Sequence, residues 1–393
     1  MDFEFSVEEE KFRDKVQDLL SSEVTDEVRQ DTASMECGPA TRRFWRTIGA
    51  DGYRGLSWPK EYGGQESYVK ELIFWDEATR AGAQMPRTTM WAEHMLLFHM
   101  SKAQKAKFLP QIRSGEIIIS LGYTEPQAGV DFGATELRAV QDRDDYVLNG
   151  QKMFSSDVHY TEYQLVAART DQNVPKEEGI SFFMVDLKSP GITVRPIWIM
   201  GGYRSNEIFY ENIRVPKDNM VGEKNRGWQQ WSATPFFQYA AVSSGMSVLV
   251  ETLVNYTLEP HREGEPLSKN QLVRQKLAQL ATEVEIERLW GYRLASMMDT
   301  GKMPSYELAM ARLHLNIVNQ RAPNLAMQLL GLYGQLKSGS EEALLGGSME
   351  KAYELSTLLQ VVGGSTQILR NIIALRALGL PHGQASATPY YDS

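Results

Sequence analysis

Cysteine is almost absent from this chain, with Cys37 the only one among 393 residues. A lone cysteine excludes an intrachain disulfide and a cysteine-based metal cluster, and it fits a reducing cytoplasm. Histidine is also scarce. Besides His94 there are only His99, His159, His261, His314 and His382, scattered without metal-ligand spacing. No apolar run approaches the roughly 18–20 residues needed to cross a bilayer. The opening Met1–Glu10 is acidic and lacks the basic and apolar segments of a secretory signal. Basic residues are outnumbered, 41 against 50, for a net charge of −9, which argues against a general nucleic-acid binder. These absences imply a cytoplasmic protein with no membrane or nucleic-acid partner.

What is present is an ordinary globular composition, 42% hydrophobic and 23% charged, in a chain long enough for two or three domains. Residues 6 to about 118 carry a helical pattern. Ser6 with Glu9 forms a capping-box signature, and Phe12, Val16, Leu19 and Leu20 recur at helical spacing behind it. Gly52, Trp58-Pro59 and Gly63-Gly64 read as a loop, followed by helical runs over about 68–82, 89–99 and 102–112. Near residue 117 the period shortens. Ile117–Leu121, Tyr146–Leu148, Gln164–Ala168, Ser181–Val185 and Glu207–Tyr210 are strand-like, with Asn149-Gly150, Gly191 and Gly201-Gly202 read as turns between them. Past Trp228 the helical period returns, predicting helices over about 229–258, 268–299, 304–334, 340–359 and 366–378. The pattern predicts an N-terminal helical domain (1–118), a middle β domain (119–226) and a C-terminal helical domain (227–393). The fold class is thus α+β multidomain.

Two stretches dominate the middle: Leu121-Gly-Tyr-Thr-Glu-Pro-Gln-Ala-Gly129 and Asn149-Gly-Gln-Lys-Met-Phe-Ser-Ser156. With Gly55–Gly64, Asn212-Ile-Arg-Val-Pro216, Gly227-Trp228, Gly363-Gly-Ser-Thr-Gln367 and Leu378-Gly-Leu-Pro381, they keep the order and spacing of the acyl-CoA dehydrogenase family, and the chain resembles that family over nearly its whole length. The wording of the loops is most similar to subunits acting on steroid side-chain CoA thioesters. The resemblance implies a central β-barrel, a C-terminal four-helix bundle, FAD as cofactor and an acyl-CoA substrate. It also implies electron-transfer flavoprotein or a similar acceptor, and a homo- or hetero-oligomer, dimer or tetramer.

A flavin that accepts hydride needs hydrogen-bond donors along its polar edge and a flat apolar face against its rings. By resemblance, Leu121, Tyr123 and Thr124 border the flavin, Phe154 lies against the ring and Ser156 reaches N5. Relatives commonly have Trp and Thr at those last two places; Phe and Ser keep the stacking and the hydroxyl. Val130 replaces a hydroxyl residue of many relatives. Gly364, Ser365 and Gln367 would hold the pyrophosphate at a helix start. Taken singly, each motif is also an ordinary strand or helix start.

Other features depart from the family. The Arg-x-x-Phe-Gly segment that a neighbouring subunit gives to the FAD site is replaced, with Pro260 and Glu263 at the Arg and Phe places and Arg262 nearby. The second donor loop keeps Gln328, Gly331 and Gly334. Most notable is the base. Dehydrogenation of a thioester needs a carboxylate to take the α-proton. The family places it either just before the Gly-Ser of the C-terminal motif, here Gly363, or on the first long C-terminal helix, here Gln238. Neither can abstract a proton, and no acid occurs from Gln229 to Val250.

Three readings follow. The chain is one subunit of a heteromer whose partner supplies the base. Or the base has moved, with Glu93 in Met90-Trp-Ala-Glu-His94 the candidate and a salt-bridged Glu the plainer alternative. Or the chemistry is an elimination without net oxidation, as in desulfinases of this fold, with Arg87 in the pocket; a solvated helix-start arginine is the plainer alternative there. A non-catalytic partner that stabilises a catalytic subunit is a further rival.

Overall fold

The computed structural model describes residues 4–83, 86–234, 244–260 and 264–381. Six helices come first: α1 (Val7–Glu23), α2 (Asp26–Ser34), α3 (Pro39–Ala50), α4 (Tyr68–Ala81), α5 (Arg87–His99) and α6 (Lys102–Arg113). The capping box at Ser6 forms as its sequence predicts, Glu9 N donating to Ser6 Oγ and Ser6 N to the Glu9 carboxylate. Gly55 and Gly63, both at positive φ, shape the loop before α4.

Eight strands follow: β1 (Ile119–Gly122), β2 (Arg138–Asp142), β3 (Asp145–Lys152), β4 (Tyr163–Arg169), β5 (Ile180–Asp186), β6 (Ile192–Trp198), β7 (Arg204–Pro216) and β8 (Met220–Val221). They form one sheet in the order β6-β7-β3-β2-β4-β5-β8, with β1 parallel to β4. Strands β4 and β5 are buried nearly throughout. Leu165, Ala167, Phe182 and Met184 pack toward the helices, while Val166, Ala168, Phe183 and Val185 join a second core on the opposite face. This is the two-residue alternation of a sheet covered on both sides.

Local expectations fail in three places. The helix expected over 229–258 stops at Ala233 with Thr234 extended, and the one expected over 340–359 begins only at Ser348. A turn expected in the sheet is also absent. Asn149-Gly150 does not separate strands; it lies inside β3, where the pairing with β7 shifts register between Leu148 and Gly150. The Asn149 side chain exchanges hydrogen bonds with Asn212, at 3.2 Å and 2.9 Å, across the strand pair. Gly150, at φ 143, passes Leu137 so closely that a Cβ would stand 3.0 Å from its Cα. The Asn-Gly signal therefore marks a β-bulge, which uses the same backbone freedom as a turn.

The C-terminal helices are α7 (Gly227–Ala233), α8 (Ser244–Leu258), α9 (Gln271–Asp299), α10 (Tyr306–Leu330), α11 (Ser348–Leu358) and α12 (Thr366–Ile372), the last running into a π turn over Ile373–Ala377. Leu253, Leu280, Val284, Val318 and Ala326 form the bundle core. Leu294, Ala295 and Met298 of α9 enter the core of the N-terminal helices instead. The two helical regions thus share apolar contacts, and the sheet packs against α5 and α6.

Candidate functional site

The turn that follows β3 is held on both sides. Met153 N donates to Thr124 O at 2.8 Å, tying it to the segment after β1, and Ser155 N donates to Asn206 O at 2.9 Å. The Asn206 amide returns a bond to Ser155 O at 3.0 Å. Phe154, between these anchors, adopts φ 54, a conformation uncommon for an aromatic residue. The residue is 53% exposed. An open phenyl face on a fixed turn is a stacking surface. Thr124 and Ser156 stand on the segments beside it, both half-buried. The Tyr123 ring packs edge-on to Phe132 and Phe182, and Leu121 O accepts from Gln164 at 3.1 Å, so both residues also serve the core.

The glycine turn before α12 has Gly363 at φ 74 and Gly364 at φ 104. Ser365 is the extended N-cap and its hydroxyl accepts from Ile368 N at 3.4 Å. Gln367 is exposed in the first turn. Helix α10 braces this turn from behind, Arg312 Nη2 donating to Val362 O at 2.7 Å and Gln360 Nε2 to Asn316 O at 2.6 Å. Gln328 is exposed on α10 and accepts from Lys276 Nζ at 2.7 Å. Gln238 and Arg262 lie outside the described residues.

Glu93 is buried, its carboxylate 3.4 Å from the equally buried Arg54. Burial raises its pKa, with Arg54 and the nearby Trp58 indole opposing. Glu71 lies in the same interior cluster, accepting from Ser57 N at 2.6 Å. Burial first, and the charge of Glu93 second, push it up to about 8. The neighbouring His94 is pushed down to about 4 by burial and is neutral.

Arg87 opens α5 and is accessible to solvent. Crowding by the protein disfavours its charge, yet Tyr203, Asp157 and Tyr160 more than offset this and hold its pKa above the ordinary value. The next residue, Thr88, donates to Asp157 Oδ2 at 3.1 Å, so α5 meets the turn after β3 at this point. His159 spans the same region, with Nε2 2.7 Å from a Glu36 carboxylate oxygen and Nδ1 3.2 Å from the Asn206 amide.

The sequence drew no attention to Asp157, Tyr203 or Arg312. A lone Asp, Tyr or Arg carries no spacing signal, and only the fold shows what each one touches. The donors and the open aromatic face fit a flavin: a ring surface at Phe154, hydroxyls at Thr124 and Ser156, and a two-glycine turn with Ser365 and Gln367 beside it.

Domain models of the acyl-CoA dehydrogenase family match in succession, the N-terminal domain over residues 6–116, the middle domain over 120–213 and the C-terminal domain over 236–378. The chain is 32% identical to acyl-CoA dehydrogenase FadE26 of Mycobacterium tuberculosis, over 97% of this chain and 99% of that protein. Among solved structures it is similar to the ChsE4-ChsE5 complex from Mycobacterium tuberculosis, with a TM-score of 0.88 and 32% identity over 98% of this chain and 100% of that one. It is also similar to the Tcur3481-Tcur3483 steroid ACAD, with a TM-score of 0.88 and 28% identity over 98% and 100%. The chain belongs to the acyl-CoA dehydrogenase family, oxidoreductases acting on CH–CH bonds of acyl-CoA thioesters.

Proposed function

We propose that this chain takes part in FAD-dependent α,β-dehydrogenation of a bulky, steroid-derived acyl-CoA, as one subunit of a heteromer that supplies the proton acceptor. The observation that carries the reading is an imbalance in the site. The turn bearing Phe154 and Ser156 is fixed and its aromatic face is open, while the position next to Gly364 that would hold a carboxylate is itself a glycine.

When bound, FAD would supply the two-electron oxidising power. The chain's part is to bind and orient. Phe154 would offer its face to the ring, Thr124 and Ser156 their hydroxyls to its polar edge, and Gly364, Ser365 and Gln367 the pyrophosphate contact, with Leu121 and Tyr123 setting the segment that carries Thr124. Gln328 would reach FAD of a neighbouring subunit. Gln238 would line the thioester as a hydrogen-bond donor, which polarises the carbonyl without taking a proton.

The interior carboxylates do not make good substitutes. Glu93 is 4% exposed and already paired with Arg54, which supports a structural role for it over a relocated base. Arg87 would then be a cation at the exposed start of α5 rather than the centre of an elimination. The likeness to two-chain steroid enzymes supports a heteromer, and electron-transfer flavoprotein or a similar carrier is the acceptor that the reading requires.

The test is to purify the chain alone and with a homologous partner chain, and to measure flavin per polypeptide and flavin reduction by a steroid side-chain acyl-CoA. Full occupancy and reduction only in the two-chain form support the reading. Full occupancy and rapid reduction in the single chain contradict the heteromer. Substrate turnover without any reduction favours an elimination, and neither turnover nor reduction in the complex favours a structural partner.

A further inference from the structure

Resting on the flavin reading above, we propose that Asp157 is the positioning residue of the candidate site, locking the Phe154–Ser156 turn to the first turn of α5 and to the β6–β7 turn. Asp157 is 3% exposed, and its two carboxylate oxygens are used by different parts of the fold. Oδ2 accepts from Thr88 Oγ1 of α5 at 3.1 Å, and Oδ1 accepts from the Tyr203 phenol at 3.2 Å. Tyr160, three residues on, donates its backbone N to Asp157 O at 3.1 Å, and burial followed by the Asp157 charge raises its phenol pKa. Ser156 is close enough to act on the Tyr203 phenol, where it opposes the upward shift of its pKa. The hydroxyl read as facing the cofactor thus stands next in sequence to the anchored Asp157 and beside the Tyr203 phenol that Asp157 holds.

The backbone explains why such a lock is needed. Phe154 has φ 54 and Asp157 has φ 66, so two non-glycine residues within four positions occupy the sparsely populated left-handed region. Such conformations persist only where surrounding contacts over-determine them. The neighbouring anchors, Met153 to Thr124 and Ser155 to Asn206, hold the turn from the sheet side. Asp157 holds it from the side of the helical domain, where no other hydrogen bond to the Phe154–Asp157 segment occurs among the described residues.

The donors are suited to the task. Burial first and Asp157 second push the Tyr203 phenol up to about 12, and the same two causes raise Tyr160 further. Both phenols stay protonated at neutral pH, and Tyr203 keeps the hydrogen it donates to Asp157. Arg87, adjacent to Thr88, is held charged in part by Asp157. The same carboxylate thus ties the first turn of α5, which carries Arg87, to the aromatic turn.

The test compares Asp157→Ala, Asp157→Asn and the double variant Thr88→Val/Tyr203→Phe in the full chain, with its partner if flavin loading requires one. Three quantities are measured: hydrogen–deuterium exchange of the 153–160 segment in the flavin-free protein, the FAD dissociation constant, and the visible circular dichroism of bound flavin. The account expects Asp157→Ala to raise exchange in that segment, to weaken FAD binding by tenfold or more, and to alter the flavin dichroism. Asp157→Asn keeps an acceptor and its hydroxyl partners can rotate to meet the amide, so it should recover most of the affinity. The double variant, which retains the carboxylate but loses two donors, should resemble Asp157→Ala and serves in its place if that protein does not fold. Wild-type exchange, affinity and dichroism in the double variant would overturn the proposal. Failure of the wild-type complex itself to take up FAD would sink the flavin reading instead, and the exchange comparison would still decide whether the lock exists.

Discussion

Lys152 Nζ lies 2.7 Å from Glu125 Oε1, and both side chains are sealed from solvent. The ammonium also donates to Tyr123 O at 3.0 Å, and the carboxylate accepts from the backbone of Glu136 at 2.7 Å and Leu137 at 3.0 Å. Burial pushes the lysine down to about 8, with Glu125 acting against that shift. The pair joins the two stretches most prominent in the sequence, Tyr-Thr-Glu-Pro and Asn-Gly-Gln-Lys, and so sets the distance between Thr124 and Phe154.

Removing the cation alone leaves a buried carboxylate without its counter-charge, at a cost of about 3–5 kcal/mol. Lys152→Met should therefore lower the urea midpoint strongly. Adding Glu125→Gln to it should recover part of the loss, because the neutral amide removes the unpaired charge while its oxygen still accepts one of the two backbone N–H groups. Equal stability of wild type and Lys152→Met would show that the pair does not hold the motifs together.

Phe154→Ala separates binding from folding. With Phe154 53% exposed, loss of its ring should change stability by less than about 1 kcal/mol. Flavin affinity should fall tenfold or more if the ring is a stacking surface, as measured by fluorescence titration. Unchanged affinity would mean that the aromatic face is not used.

Glu71 predicts a pH dependence. Its folded pKa is about 8 against an ordinary 4.5, so the native state keeps a proton that the unfolded chain releases. Its contribution is fully present below about pH 4.5 and is lost as pH rises through about 8. Glu71→Gln imitates the protonated form and keeps an acceptor for Ser57 N. Between pH 5 and 8, thermal melting should show the wild type losing stability relative to this variant. Parallel curves would place Glu71 in a more polar setting than its burial implies.

Asp299, at the C-terminal end of α9, caps the start of α4. Its carboxylate accepts from Tyr68 N at 2.5 Å, Val69 N at 3.3 Å and Ser67 Oγ at 3.2 Å. Asp299→Ala should cost about 0.5–2 kcal/mol, the range for a lost helix cap, and should increase amide exchange at residues 68–70. An effect confined to α9 would refute a cross-domain cap.

The three-part order was legible because hydrophobic period changes sharply near residues 117 and 228, and the capping box at Ser6 was legible because both of its partners are close in sequence. Strands β2 and β6 escaped notice: Arg138–Asp142 is polar at most positions and Ile192–Trp198 contains Pro196 at the edge of the sheet. The Asn149-Gly150 bulge was misread because a bulge and a hairpin turn ask for the same residues. In the site, Thr124, Phe154 and Ser365 stood out through local motifs. Asp157 and Arg312 did not, since their partners Thr88, Tyr203 and Val362 are 69, 46 and 50 positions away.

The most direct test of the central claim is anaerobic titration of the flavin-loaded chain, alone and with its partner, with a steroid side-chain acyl-CoA while the visible flavin band is followed. The account predicts bleaching at one equivalent in the two-chain form and little or none in the single chain, which lacks a carboxylate at both family positions. Full, rapid bleaching of the single chain would contradict it, by showing that this chain carries its own proton acceptor.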